Sequence, residues 1–319
     1  MLQSTVKNFK INFNVARSTF SSGDLIAGHI TFDLTKKTKI TSITMALTGK
    51  ANVRWSTGGG KNRHKKVYSA KLEFVNFKSV IVQENRITGE AATFQPGTHV
   101  YPFTCQFPHG NFPSTFHGVH GHITYSLTVG VHRAWHMAKD FVTELNFVNR
   151  INTDQPELHA PLSGSNNMTL CCLWCASDPI TMTVSLEKKA FIPGETVKII
   201  CEFSNASSWT VTPKVTLQQK QVYYTLSKAS RRMLFKNVVS VTGQPVCAHT
   251  HDVHTSILLT IPPSTTLTVS NCSIIDVDYI IEVSLSTRAS ANLTVLFPII
   301  MCDTTVDAYP PPYFFSPSK

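Results

Sequence analysis

The sequence predicts an all-β chain folded as two tandem immunoglobulin-like β-sandwiches with a short disordered C-terminal tail. Three observations carry the prediction. Apolar residues alternate with polar ones over many short stretches, clusters of Gly, Pro, Asn and Ser separate those stretches, and the two halves resemble each other. At 319 residues, 42% hydrophobic and only 15% charged, the chain has enough apolar side chains to pack a core over most of its length.

Along the first half, Phe9, Ile11, Phe13 and Val15 form one alternating set. Ile30, Phe32 and Leu34 form the next, then Ile43, Met45 and Leu47, then Ile123, Tyr125, Leu127 and Val129. The second half supplies Met182, Val184 and Leu186; Val197, Ile199, Cys201 and Phe203; then Ile281, Val283 and Leu285. A period of two puts each set on one face of a strand, and no long stretch repeats at the helical period. Short punctuated strands of this kind build sandwiches or barrels.

The halves align at matching features. Phe20, Gly23, Asp24 and Ile26 correspond to Phe191, Gly194, Glu195 and Val197: a turn glycine, an acid, then a strand. Phe107-Pro108 followed by Ile123, Tyr125 and Leu127 corresponds to Ile261-Pro262 followed by Val277, Tyr279 and Ile281, and this pair shares one offset. The earlier match has a larger offset, so the first half carries an insertion, with Ser56–Lys66 the candidate loop. The organisation read from these patterns is a sandwich over residues 1–151, a linker over 152–175, a sandwich over 176–302 and a flexible tail over 303–319. The linker rests on the polar stretch Asn152–Asn167, with Pro156, Pro161 and Gly164.

No apolar run reaches the roughly 18 residues of a membrane-spanning helix. The start of the sequence lacks an apolar signal core, so a cytoplasmic location is expected. The eight cysteines are then expected to stay reduced, and the sequons at Asn167, Asn205, Asn271 and Asn292 to stay unglycosylated. A secreted disulfide-bonded sandwich is the competing reading, and free-thiol titration separates the two.

Chemistry-bearing motifs fall short of their templates. Gly58-Gly59-Gly60-Lys61 lacks the leading glycine of a phosphate loop, where Trp55 stands, and Asn62 replaces the Ser or Thr that reaches magnesium. Cys172 and Cys175 have C-x-x-C spacing but no second close pair to complete a zinc site. His117, His120 and His122, and Cys247, His249, His251 and His254, come without a carboxylate cluster, and no metal or other cofactor is expected. With no nucleophile elbow, H-E-x-x-H or paired carboxylates, an enzyme is not expected.

The formal charge of +10 favours anionic partners. It concentrates locally at Lys50, Arg54, Lys61, Arg63, Lys65 and Lys66, and Lys61, Arg63, Lys65 and Lys66 are the candidates to meet an anionic membrane or phosphate. No recognition helix or aromatic-basic motif supports nucleic-acid binding. The sharpest signal is Pro310-Pro311-Pro312-Tyr313. Prolines hold φ near the polyproline II value, so the binding conformation is already partly formed. Pro310 and Pro311 suit the aromatic groove of a WW domain, and Tyr313 the adjacent pocket.

At these residues the chain resembles the arrestin-domain-containing proteins of the α-arrestin class. The likeness spans roughly residues 6–302 and rests on Phe20–His29, Gly49–Trp55, Pro113–Phe116 leading into Gly121–Tyr125, Pro193–Glu195, Pro213–Lys220, Ile261–Pro263 and Cys272–Ile275. It implies two arrestin-like sandwiches and a cytosolic adaptor, recruited to plasma membrane and endosomes, that carries membrane receptors or transporters to Nedd4-family ubiquitin ligases. The ligase contacts it implies are Pro310, Pro311 and Tyr313. A vesicle-coat or retromer-like scaffold on the same fold is the alternative. Such proteins commonly carry more than one Pro-Pro-x-Tyr copy. One copy here implies weak recruitment, because two linked sites gain by effective concentration. His117 stands where the family usually has an acid.

Overall fold

A computed structural model describes residues 5–14, 19–58, 65–83, 92–133, 138–168, 171–172, 175–176, 179–286 and 293–309. Val15, Lys61, Arg63 and the motif at 310–313 lie outside them. Among the described residues the chain is nearly all β, with one short helix at Pro156–His159, and its open sheets form two tandem sandwiches. Two compact units emerge: Met1–Asn149 with Tyr223–Arg232 and Asn271–Ile275, and Arg150–Val222 with Met233–Ser270 and Asp276–Lys319.

In the first unit, the strands Val6–Phe13, Leu25–Leu34 and Gly97–Gln106 make one antiparallel sheet in that order. Lys139–Leu145, Gly121–His132, Ser42–Thr57 and Lys66–Gln83 make the other. Alternation decides which face is buried. Ile30, Phe32 and Leu34 point inward from one sheet; Ile43, Met45, Leu47, Ile123, Tyr125, Leu127 and Val129 point inward from the other. Each such aliphatic side chain contributes about 1.5–3 kcal/mol on full burial. Gly49 pairs with Tyr125 across the ladder, and a Cβ there would lie 2.6 Å from the tyrosine ring. The glycine is therefore the space that the ring fills.

The second unit repeats the plan. Leu162–Met168, Ile180–Leu186, Thr196–Asn205 and Thr250–Thr260 form one sheet in that order. The other runs Ala190–Phe191, Leu293–Met301, Ile275–Ser286, Thr212–Tyr224 and Arg231–Thr242. Met182, Val184, Leu186, Val197, Ile199, Cys201 and Phe203 are fully buried or nearly so, as are Ile281, Val283 and Leu285.

The duplication extends to individual hydrogen bonds. The Asp24 carboxylate accepts from Ser21 N at 2.9 Å, and the Glu195 carboxylate accepts from Ile192 N at 2.9 Å. Between each pair sits a glycine at positive φ: Gly23 at 80° and Gly194 at 92°. Phe107 N donates to Asp24 O at 2.9 Å, and Ile261 N to Glu195 O at 2.8 Å. Phe20 lies beside Phe147 in a parallel bridge, as Phe191 lies beside Met301. The Tyr125 hydroxyl donates to Pro113 O, and the Tyr279 hydroxyl to Thr266 O, each at 2.7 Å.

Two stretches differ from the simplest reading of their composition. Within the polar stretch read as linker, Leu162–Met168 is an edge strand hydrogen-bonded to Ile180–Leu186. It buries little, so main-chain pairing rather than an apolar face holds it. Residues 303–309, read as the start of the tail, continue as packed chain: Val306 is only 2% exposed, among Leu158, Ala190 and Cys302. Among the described residues no helix is long and apolar enough to cross a membrane.

Candidate functional site

The basic residues gather on the outer face of the first unit's larger sheet. Val53 and Trp55 point into the core, so Asn52, Arg54 and Ser56 face outward. The ladder sets Asn52 between Lys71 on one side and His122 on the other, and Arg54 opposite Ser69. Arg54 N donates to His120 O at 2.7 Å, which brings the 118–122 turn alongside. Asn52, Arg54, Ser69, Lys71, His120 and His122 line a groove of about 640 Å³.

Among the described residues no carboxylate lines that groove. The nearest basic neighbour along the strand, Lys50, is already paired with Glu73 at 3.1 Å. Hydrogen bonds from Lys50 and from Asn76 hold the Glu73 carboxyl below its usual range. Arg54 and Lys71 have no such acid among the described residues. Burial, and then the charge of Arg232, push the His120 imidazole below its ordinary value, so the ring is neutral at neutral pH. An adjoining hollow of about 310 Å³ is lined by Arg54, Trp55, Ser56, Lys65, Val67 and His120. Lys66 sits over the Tyr68 ring at 5.2 Å, and Tyr68 stacks on Trp55.

Of the four predicted basic contacts, Lys65 lines this surface and Lys66 adjoins it, while Lys61 and Arg63 lie outside the described residues. Sequence reasoning did not reach Lys71, and it weighed His120 and His122 only as part of a histidine cluster rather than as neighbours of Arg54. Strand alternation from Arg54 indicates which side of its own strand is exposed, but only the pairing register brings these three beside it. His117 pairs with Glu144 at 3.3 Å, with both side chains exposed. Among the described residues no group of three His, Cys, Asp or Glu side chains could hold a metal. Cys105, Cys201 and Cys302 are buried free thiols, Cys272 is buried beside Tyr125, and Cys247 is an exposed free thiol.

The predicted WW ligand, Pro310, Pro311 and Tyr313, lies outside the described residues, and the residues before it pack within the second unit. Lys188, 5% exposed, pairs with Glu195 at 2.5 Å and donates to Val306 O at 2.6 Å. The two His159 ring nitrogens lie 2.6 Å from Asp307 O and 2.7 Å from Thr153 O. Tyr309 N donates to His159 O at 3.3 Å, and the two rings are 5.4 Å apart.

Residues 9–153 match the family model for the arrestin (or S-antigen) N-terminal domain, and residues 176–305 the model for the arrestin (or S-antigen) C-terminal domain. Arrestin domain-containing protein 4 of Mus musculus is 25% identical over 291 residues, covering 90% of this chain and 69% of the relative. Its Homo sapiens counterpart is 24% identical over 302 residues, covering 93% and 71%. Thioredoxin-interacting protein of Rattus norvegicus is 21% identical over 302 residues, covering 93% and 74%. With both sandwiches matched in order, and relatives aligned along at least 90% of its length, the chain belongs to the arrestin family, in its α-arrestin class, whose members are non-enzymatic adaptor proteins.

Proposed function

We propose that this chain is a cytoplasmic trafficking adaptor that links membrane receptors or transporters to Nedd4-family ubiquitin ligases. The cargo would then be ubiquitinated and sorted through endosomes. The observation that carries the reading is Pro310-Pro311-Pro312-Tyr313, a WW-domain ligand that follows directly on two arrestin sandwiches. Pro310 and Pro311 present a preformed polyproline surface, and Tyr313 supplies the side chain for the neighbouring pocket. The sandwiches engage cargo. Lys61, Arg63, Lys65 and Lys66, together with Arg54 and Lys71, attract the chain to an anionic lipid surface by about 1 kcal/mol per basic residue that reaches it.

The test is the affinity of the full chain, and of its Tyr313→Ala variant, for isolated Nedd4-family WW domains. Binding by the parent that the variant loses is the expected result. Equal binding, or none by either, would sink the ligase link and leave the vesicle-coat or retromer-like scaffold as the reading.

A further inference from the structure

The segment before the motif is part of the second unit's packing. Val306 is buried with Leu158, Ala190 and Cys302, and its carbonyl accepts from the buried Lys188. Beyond it, Asp307 O meets the His159 ring at 2.6 Å, and Tyr309 is held by its main-chain N–H and by its ring against the same histidine. Pro310 follows with no intervening residue.

That spacing sets a steric condition. One residue of extended chain reaches at most about 3.6 Å. A compact domain of about 40 residues, the size class of a peptide-binding module, has a radius of gyration near 9 Å. A domain closing on Pro310 and Pro311 therefore meets the surface that holds Tyr309. Freeing Asp307, Ala308 and Tyr309 supplies about 10 Å of chain, comparable to that radius. Val306 stays anchored, because its contacts are buried, whereas Tyr309 is 50% exposed and loosely held.

We infer that docking of residues 307–309 on His159 competes with seating of Pro310, Pro311 and Tyr313 in a WW groove, an inference that rests on the ligase reading above. The second unit thereby restrains recruitment. The contacts at stake are two ordinary hydrogen bonds and a ring contact, so the restraint is shallow, roughly three- to tenfold in affinity.

The experiment compares four ligands for one isolated Nedd4-family WW domain. These are a synthetic peptide of residues 303–319, the full chain, the full chain with His159→Ala, and the full chain with a Gly-Ser spacer inserted between Tyr309 and Pro310. The peptide should bind roughly three- to tenfold more tightly than the full chain. Both altered chains should approach the peptide. The spacer leaves every residue of the sandwich in place, so it decides the matter even if His159→Ala disturbs folding. A full chain that matches the peptide overturns the restraint while leaving the ligase reading intact. So does a weaker full chain that the spacer fails to restore. A peptide that does not bind removes the ligase reading, and the restraint with it.

Discussion

Tyr125 and Tyr279 show how one residue type does the same work in both sandwiches. Each is fully buried, and each spends its hydroxyl on a carbonyl of a preceding loop, Pro113 O or Thr266 O. Burial pushes both phenols above their ordinary value. Replacing Tyr125 with Phe keeps the ring but strands the Pro113 carbonyl, at a cost of about 1–2 kcal/mol. Tyr279→Phe should cost at least as much, since Gln219 Nε2 also donates to that hydroxyl at 2.6 Å. Chemical denaturation of each variant measures both effects, and unchanged midpoints would count against this account. Gly49 is the complementary case. A methyl at that position meets the Tyr125 ring at 2.6 Å with core on all sides, so Gly49→Ala should destabilise by about 1–3 kcal/mol through overpacking. Pairing it with a smaller residue at 125 should recover part of the loss in a double-mutant cycle.

Among elements, the first strand is tied down by a polar stitch. Asp33 accepts from Asn8 Nδ2 and from Thr98 Oγ1, each at 2.7 Å, and so joins three neighbouring strands. Asn8 takes a positive φ of 50° where the register of this strand shifts, a conformation that asparagine tolerates. The donors, Asn8 first and then Thr98, hold the Asp33 carboxyl below its usual 3.8. A depressed carboxylate stabilises the fold above the unfolded value and loses that contribution as pH falls through the lower folded one. Protection of the Val6–Phe13 amides, taken relative to their intrinsic exchange rates, should therefore fall below about pH 4, and an Asp33→Asn chain should show less of that change.

The basic face is a second element-scale feature. Neutralising Lys61, Arg63, Lys65 and Lys66 together should reduce sedimentation with anionic vesicles and leave the weak binding to neutral vesicles unchanged. Rising salt should erase the difference between parent and variant. All four positions were legible as a lysine-rich loop, of which Lys65 and Lys66 fall among the described residues; the nearness of Lys71, His120 and His122 to Arg54 was not. Their proximity to Arg54 depends on which residues of separate strands stand opposite, and a one-residue slip would send them to the other face.

At the scale of the whole molecule, the adaptor reading joins two kinds of information. Two arrestin sandwiches precede a short ligand in the sequence, and the expected loss of WW binding in Tyr313→Ala tests the join directly. Alternation of apolar residues is a local property, so the sequence by itself determined the all-β class, the internal duplication and the buried face of Leu25–Leu34, Ser42–Thr57, Gly121–His132, Ile180–Leu186, Thr196–Asn205 and Ile275–Ser286. The Pro-Pro-x-Tyr motif was legible for the same reason, since its recognition depends on adjacent residues. Only tertiary structure decided that Leu162–Met168 is an edge strand and that the chain remains packed through Val306. Main-chain groups carry much of both: ladder bonds in the first, and carbonyls that meet Lys188 and His159 in the second, where Val306 is a lone buried apolar side chain with no alternation around it. Every residue type carries those groups, so they leave no pattern in the side chains.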